Sequence, residues 1–317
     1  MPHVFLTIDT EFRWGDHAAG LALPAISERS IEPAGVGLAW QLDLLARHGL
    51  KATFFVDPMP ALVYGEEAIA RVVAPILAAG QEVQLHLHPN WVGAHPGDGG
   101  ATHGRFELID HSRDAQAALL AKGIALLTAA GAPAPVAFRA GSYAANDDTL
   151  SALAMLGIRY DSSHNGAHAP WPSAIGLPAA QIAPVCRRGV MEVPVTLIED
   201  RPGRYRNVQV CALSTAEMRA AIDHAVDRGH EALTIVSHSF ELANRAATAP
   251  NRVHVRRFEA LCAMLAARRG AAPTAHFADR PALRPGRDDA PLPPSALRLR
   301  WRQVEQAWST LVEERAA

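Results

Sequence analysis

Residues 82–91 read EVQLHLHPNW, an apolar run in which two histidines stand one residue apart. As a strand over residues 82–88 it places His86 and His88 on one face, because side chains two apart in β structure point the same way. Pro89 has no backbone N–H to continue a ladder and ends the strand. Two ring nitrogens presented together at a strand end suit one zinc-like ion. Taken alone, the pair fits two half-buried structural histidines nearly as well.

Similar short apolar runs lie on both sides: HVFLTID (3–9), ATFFV (52–56), VAFRA (136–140), IRYDS (158–162), MEVPVTL (191–197) and ALTIVSH (232–238). Helix-like segments separate them. Leu38, Leu42 and Leu45 share one face of a helix that stops at Gly49, a residue suited to a left-handed cap. A second helix near 66–79 contains Pro75, which predicts a kink. Ser214 and Glu217 have capping-box spacing and open a helix running to about Arg228. Strands alternating with helices of this length predict an α/β fold with parallel pairing through βαβ crossovers. Seven such units over about 275 residues suit a closed or nearly closed barrel, with a doubly wound open sheet as the competing layout. The loops 90–111 and 162–190 are long, and in such barrels long loops leave the C-terminal strand ends, where active sites sit.

The predicted organisation is a barrel over 1–280, a Pro-rich linker over 281–294 and an amphipathic helix over 295–317. Leu297, Trp301, Val304, Trp308 and Leu311 recur in the last segment at 4-3-4-3 spacing. That stripe is expected to be covered by the barrel itself, with a homodimer contact as the alternative.

The formal net charge is −2 over 317 residues, so there is no broad basic field and nucleic acid is excluded as the main partner. Only Lys51 and Lys122 are lysines, which leaves few candidates for a catalytic lysine. Cys186, Cys211 and Cys262 show no C-x-x-C spacing and are expected to be reduced core residues. No signal-peptide pattern follows Met1, and no apolar run approaches the roughly 18–20 residues needed to span a bilayer. The expectation is a cytoplasmic protein without membrane insertion.

Other strand ends also carry chemistry-bearing residues. Asp9 and Glu11 project together at the end of the first strand, where two carboxylates repel unless a cation or proton lies between them. With His86 and His88 they offer a mixed ligand set, suited to a catalytic zinc with an open water position. Arg139 follows an apolar strand and is flanked by Ala140 and Gly141, which permit close approach of backbone or ligand. His238 and Asp161 end two further strands.

In this order, TIDTE, ATFFV, HLHP, FRAGSY, YDSS, EVPVT and VSHS resemble the motifs of the polysaccharide deacetylase (NodB-homology) family, carbohydrate esterase family four, over about residues 3–280. The resemblance implies a distorted (β/α)7 barrel and metal-dependent removal of an acyl group from a sugar. It makes Asp9 the catalytic base, Arg139 the arginine that holds the base ionised, His238 the general acid and Asp161 the residue that orients His238. Glu11 and His86 become metal ligands to one divalent ion, zinc first. The family's second metal histidine lies four residues after the first, where this chain has Asn90, so His88 must take its place. The usual Arg-x-Pro-Tyr motif is here Arg139-Ala140-Gly141-Ser142-Tyr143, with a backbone N–H near Ser142 expected at the oxyanion. Ser142, Tyr143 and Trp91 are expected to touch substrate, Trp91 as part of a sugar-stacking lid with His95 and His103. The implied substrate is an acylated sugar or glycan precursor, acetyl or formyl in its acyl group, and the lack of a signal-peptide pattern makes a substrate formed inside the cell the expectation. Two rival readings are a metal-free NodB-like barrel that only binds a glycan or partner, and an amidohydrolase-type enzyme, whose His-x-His belongs to the first strand.

Overall fold

The computed structural model describes residues 1–100 and 105–315. Among the described residues ten strands occur in chain order: β1 His3–Thr10, β2 Thr53–Val56, β3 Glu82–Leu87, β4 Ala137–Ala140, β5 Tyr160–Asp161, β6 Val185–Arg187, β7 Val190–Glu192, β8 Leu197–Arg201, β9 Arg204–Asn207 and β10 Ala232–His238. Eight of them form a curled sheet in the order β10-β1-β2-β3-β4-β5-β7-β6, and every pair is parallel except β6–β7. The fold is the distorted parallel barrel expected from the alternation of strands and helices.

The sixth predicted strand, 191–197, is broken. Regular pairing ends at Glu192, two residues before Pro194, which lacks the N–H that a ladder needs. The next strand, β8, pairs instead with β9 as a separate antiparallel ribbon. The gap between β7 and β10 is bridged irregularly, by Thr196 N–H to Thr234 C=O at 3.2 Å and by exchange between Val208–Val210 and Val236. Phe5, Phe55, Tyr160, Val193 and Phe277 fill the barrel interior, while the larger core lies between the sheet and its helices.

Local punctuation follows the chemistry of the chain. The helix Leu38–His48 ends on Gly49 at φ 57°, a left-handed position that glycine occupies without strain. Ser214 and Glu217 cap the helix Thr215–Asp227 reciprocally. The three cysteines are free, and of these only Cys262 is buried. No helix among the described residues is long and apolar enough to cross a membrane.

The C-terminal helix Ala296–Leu311 docks the opposite way from the expectation. Its inner face is polar: Arg302 is buried against Glu217 and Asp200, Ser309 accepts from Asn251, and Glu305 binds Arg257. Leu297, Trp301, Val304, Trp308 and Leu311 all face outward, with Trp301 56% exposed. The barrel does not cover the stripe, because buried charges on Glu217 and Arg257 claim the polar side. Arg302→Ala would strand Glu217 without its cation and should lower unfolding free energy by about 3 kcal/mol. Urea denaturation checks this, and a loss under about 1 kcal/mol would show that the ion pair is not what docks the helix.

Candidate active site

The parallel register brings the polar strand ends together in two tiers. In the lower tier Asp9 is level with His238 on β10 and with Phe55 on β2. Above it, His86 is level with Arg139 on β4. Because alternate residues share a face, Glu11 and His88 rise on the same interior side as Asp9 and His86.

Arg139 is completely buried and fully engaged. Its Nη1 donates to Asp9 Oδ1 at 2.7 Å and to Thr7 Oγ1 at 2.8 Å, Nε donates to the Ser162 carbonyl, and Nη2 donates to Ser162 Oγ. Its guanidinium also lies 4.5 Å over the Phe55 ring. A planar fork with this many partners is immobile, so Asp9 is held in one rotamer. The second oxygen of Asp9 faces His238 Nε2 at 3.9 Å.

Glu11, His86 and His88 converge. Glu11 Oε2 lies 2.5 Å from His88 Nε2 and 3.3 Å from His86 Nε2, and the three donor atoms fall within 4.8 Å of one another. His86 Nδ1 meets the Arg139 carbonyl at 2.8 Å, which puts the proton on Nδ1 and leaves a lone pair on Nε2. Two imidazole nitrogens aimed at one carboxylate oxygen require a positive charge between them, and the set fits a divalent cation with two nitrogen ligands and one oxygen ligand. Without the ion, a proton serves. Burial opposes charge on His88, but Glu11 outweighs it and raises the His88 pKa to about 9. Burial likewise works against the Glu11 carboxylate, and the two histidines still hold it well below the usual range.

No family model and no curated protein matches the sequence. Among solved structures, a protein described as a polysaccharide deacetylase from Mycobacterium smegmatis superposes with a TM-score of 0.54 at 21% identity, over 91% of this chain and 94% of that one. The chain has the polysaccharide deacetylase fold. More distant similarities include a family 4 carbohydrate esterase from Streptomyces lividans in complex with acetate (TM-score 0.45, 15% identity, 92% and 98% covered). Another is a family 4 pseudoenzyme from Bacillus anthracis (TM-score 0.40, 15% identity, 94% and 66% covered).

Within this polysaccharide deacetylase fold, the expected residues fall into two groups. Asp9, Glu11, His86, His88, Arg139 and His238 gather at one end of the barrel. Asp161 does not reach His238. It accepts from Ser163 Oγ at 2.7 Å, and Ser163 Oγ in turn accepts from Ala140 N–H, so Asp161 fixes the turn after Arg139. Beside it, burial and the Asp161 charge push the Glu192 carboxyl well above its usual range, so that one proton is shared between the two. The residue at His238 is Glu241, 3.8 Å from Nδ1 and bonded to the His238 backbone N–H. Burial opposes charge on both, yet their pairing raises His238 to about 9 and lowers Glu241 to about 2.

Trp91 is not a sugar platform. It is 1% exposed and packed edge-on against Trp14 and Tyr64 and beside His17. Its apolar area and its position in the turn Pro89–Trp91 make it part of the core that anchors the loop after β3. His95 is largely exposed, and His103 lies outside the described residues. Asn90 is buried in the same turn, and His88 is the residue beside Glu11.

Gly141 explains the altered motif after Arg139. A Cβ at this position would lie 2.3, 2.4 and 2.6 Å from Cε1, Nδ1 and Cγ of His88, so the histidine ring occupies space that any other residue would fill. Ser142 and Tyr143 follow in left-handed conformations at φ 53° and 60°. Ser142 is exposed and hydrogen-bonds Glu107, while the buried Tyr143 hydroxyl has no partner among the described residues. Burial and the charge of Asp9 raise the Tyr143 pKa, so this hydroxyl stays protonated. Glu241, Glu107 and Asp57 were not singled out from sequence. Asp57 had the same signal as Asp9, a carboxylate directly after an apolar β run, whereas Glu107 sits in an irregular loop without any signal.

Proposed function

We propose that this chain is a divalent-metal-dependent hydrolase that removes an N-acyl group, acetyl or formyl, from a sugar or glycan precursor. The reading is carried by the convergence of Glu11, His86 and His88 beside an Arg139-held carboxylate and a charged histidine. A bound cation, zinc first by donor type, would supply Lewis-acid polarisation of the acyl carbonyl and a more acidic water. Asp9, fixed by Arg139, takes the proton of the attacking water. Tyr143 and the turn it belongs to orient the acyl group from the β4 side. His238, kept protonated by Glu241, gives its proton to the departing nitrogen. Substrate has room beside His238, where a cavity of about 380 Å³ is bordered by Arg13, Cys211, Phe240, Glu241 and, from the C-terminal helix, Gln306 and Thr310.

Elemental analysis and product assay together test this reading. One ion per chain is expected, with acetate or formate released from N-acylated amino sugars, lost on chelation and restored by zinc. Two ions per chain would favour amidohydrolase chemistry, and none, with no chelator-sensitive release, would leave a binding barrel.

The acid role of His238 also has a pH signature. The protonated form is the active one, so kcat/KM should fall as pH rises through about 9. A pH–rate profile checks this: His238→Ala should lose that alkaline limb, and its persistence would assign the limb to another group.

A further inference from the structure

Asp57 occupies the end of β2, between the strands that carry Glu11 and His86. Its backbone N–H donates to the Thr10 carbonyl at 3.0 Å, and the preceding residue, Val56, is level with Leu85. Asp57 therefore stands abreast of Glu11 on one side and His86 on the other. Phe55, two residues earlier, faces the barrel interior under Arg139, and alternation turns Asp57 to the same interior. The residue is 1% exposed. Its Oδ1 accepts from Met59 N–H at 3.0 Å, and its Oδ2 has no partner among the described residues. Burial raises the Asp57 pKa to about 6, the charges of His88 and His86 oppose that rise, and the charge of Glu11 adds to it.

A buried carboxylate oxygen without a donor is a costly arrangement that calls for a proton, a water or a cation, and the neighbouring metal-type ligands favour the cation. Capping the turn at Met59 needs only Oδ1, which an asparagine would supply equally well. The second oxygen and the negative charge are left over. We propose that Asp57 is a second carboxylate of the cation site, supplying the outer negative charge that balances a divalent ion held by Glu11, His86 and His88. The inference rests on the metal-site reading above. Two neutral imidazoles and one carboxylate leave a dication with net positive charge, and Asp57 brings the sum to zero.

Asp57→Asn separates the two roles, because it keeps the cap and removes the charge. Zinc affinity should be measured by competition with a chromophoric chelator, on wild type, on Asp57→Asn and on Glu11→Gln as a control. Melting of the apoproteins completes the experiment. Asp57→Asn is expected to weaken zinc binding about 10–100-fold, the range for loss of an outer partner of a metal site. Its apoprotein should melt at or above the wild-type temperature, since an unpartnered buried charge has been removed. Wild-type zinc affinity in Asp57→Asn, or an apoprotein melting below wild type with affinity intact, would overturn the proposal and leave Asp57 a turn cap. Asp57→Ser, which also retains a capping oxygen, gives the same reading should the asparagine variant fail to fold. If wild type itself binds no zinc, the metal-site reading falls, and this inference falls with it.

Discussion

Asp9→Asn should reduce kcat for acyl release by about 10³-fold while the protein keeps its metal. The magnitude is that of a lost general base, in the range 10²–10⁴. Asparagine retains an oxygen to accept from Arg139 Nη1, and Arg139 keeps Thr7, both Ser162 contacts and the Phe55 ring. The stability cost should therefore stay below the 3–5 kcal/mol expected when a buried cation loses its only partner. Steady-state kinetics, zinc content and a denaturation curve separate the possibilities. Near wild-type turnover would remove Asp9 from the mechanism, whereas loss of zinc together with turnover would make it a ligand.

Much of this arrangement was legible in sequence because it rests on period-two geometry. Asp9 with Glu11, and His86 with His88, had to share faces once their runs were strands, and βαβ alternation put all strand ends at one rim. What escaped depended on distances that no periodicity encodes. Asp161 and His238 both end strands, but register sets Asp161 against Glu192 on β7, and the short hop from His238 to Glu241 supplies the nearer carboxylate. Trp91 follows a metal-like motif and still belongs to the core, because its ring fits between Trp14 and Tyr64. The amphipathic stripe at 297–311 has the pattern of a buried face, but hydropathy is blind to the charges on Glu217 and Arg257 that dock the opposite one. Pro194 was visible, and its breaking of the strand at 191–197 follows from its missing N–H.

Gly141→Ala should cost metal binding as heavily as a direct change to His88. The added methyl would fall within 2.3–2.6 Å of three ring atoms, too close for a small shift to relieve. Gly141 has no positive φ to make alanine costly in itself, so the effect comes from collision alone. Either the His88 ring leaves Glu11 or the Gly141–Tyr143 turn moves away from Asp9 and Arg139. Overpacking of this kind costs about 1–3 kcal/mol, and the displaced nitrogen should weaken zinc binding by at least about tenfold. The decisive comparison is a double-mutant cycle. In a His88→Ala background the ring is gone and the methyl has room, so adding Gly141→Ala should change neither melting temperature nor residual zinc affinity. Strict additivity of the two changes would mean that they act independently. The glycine after Arg139-Ala140 would then have no part in seating His88. Coupling close to the full single-mutant effect would tie His88, two residues after His86, and Gly141, two residues after Arg139, into one structural unit.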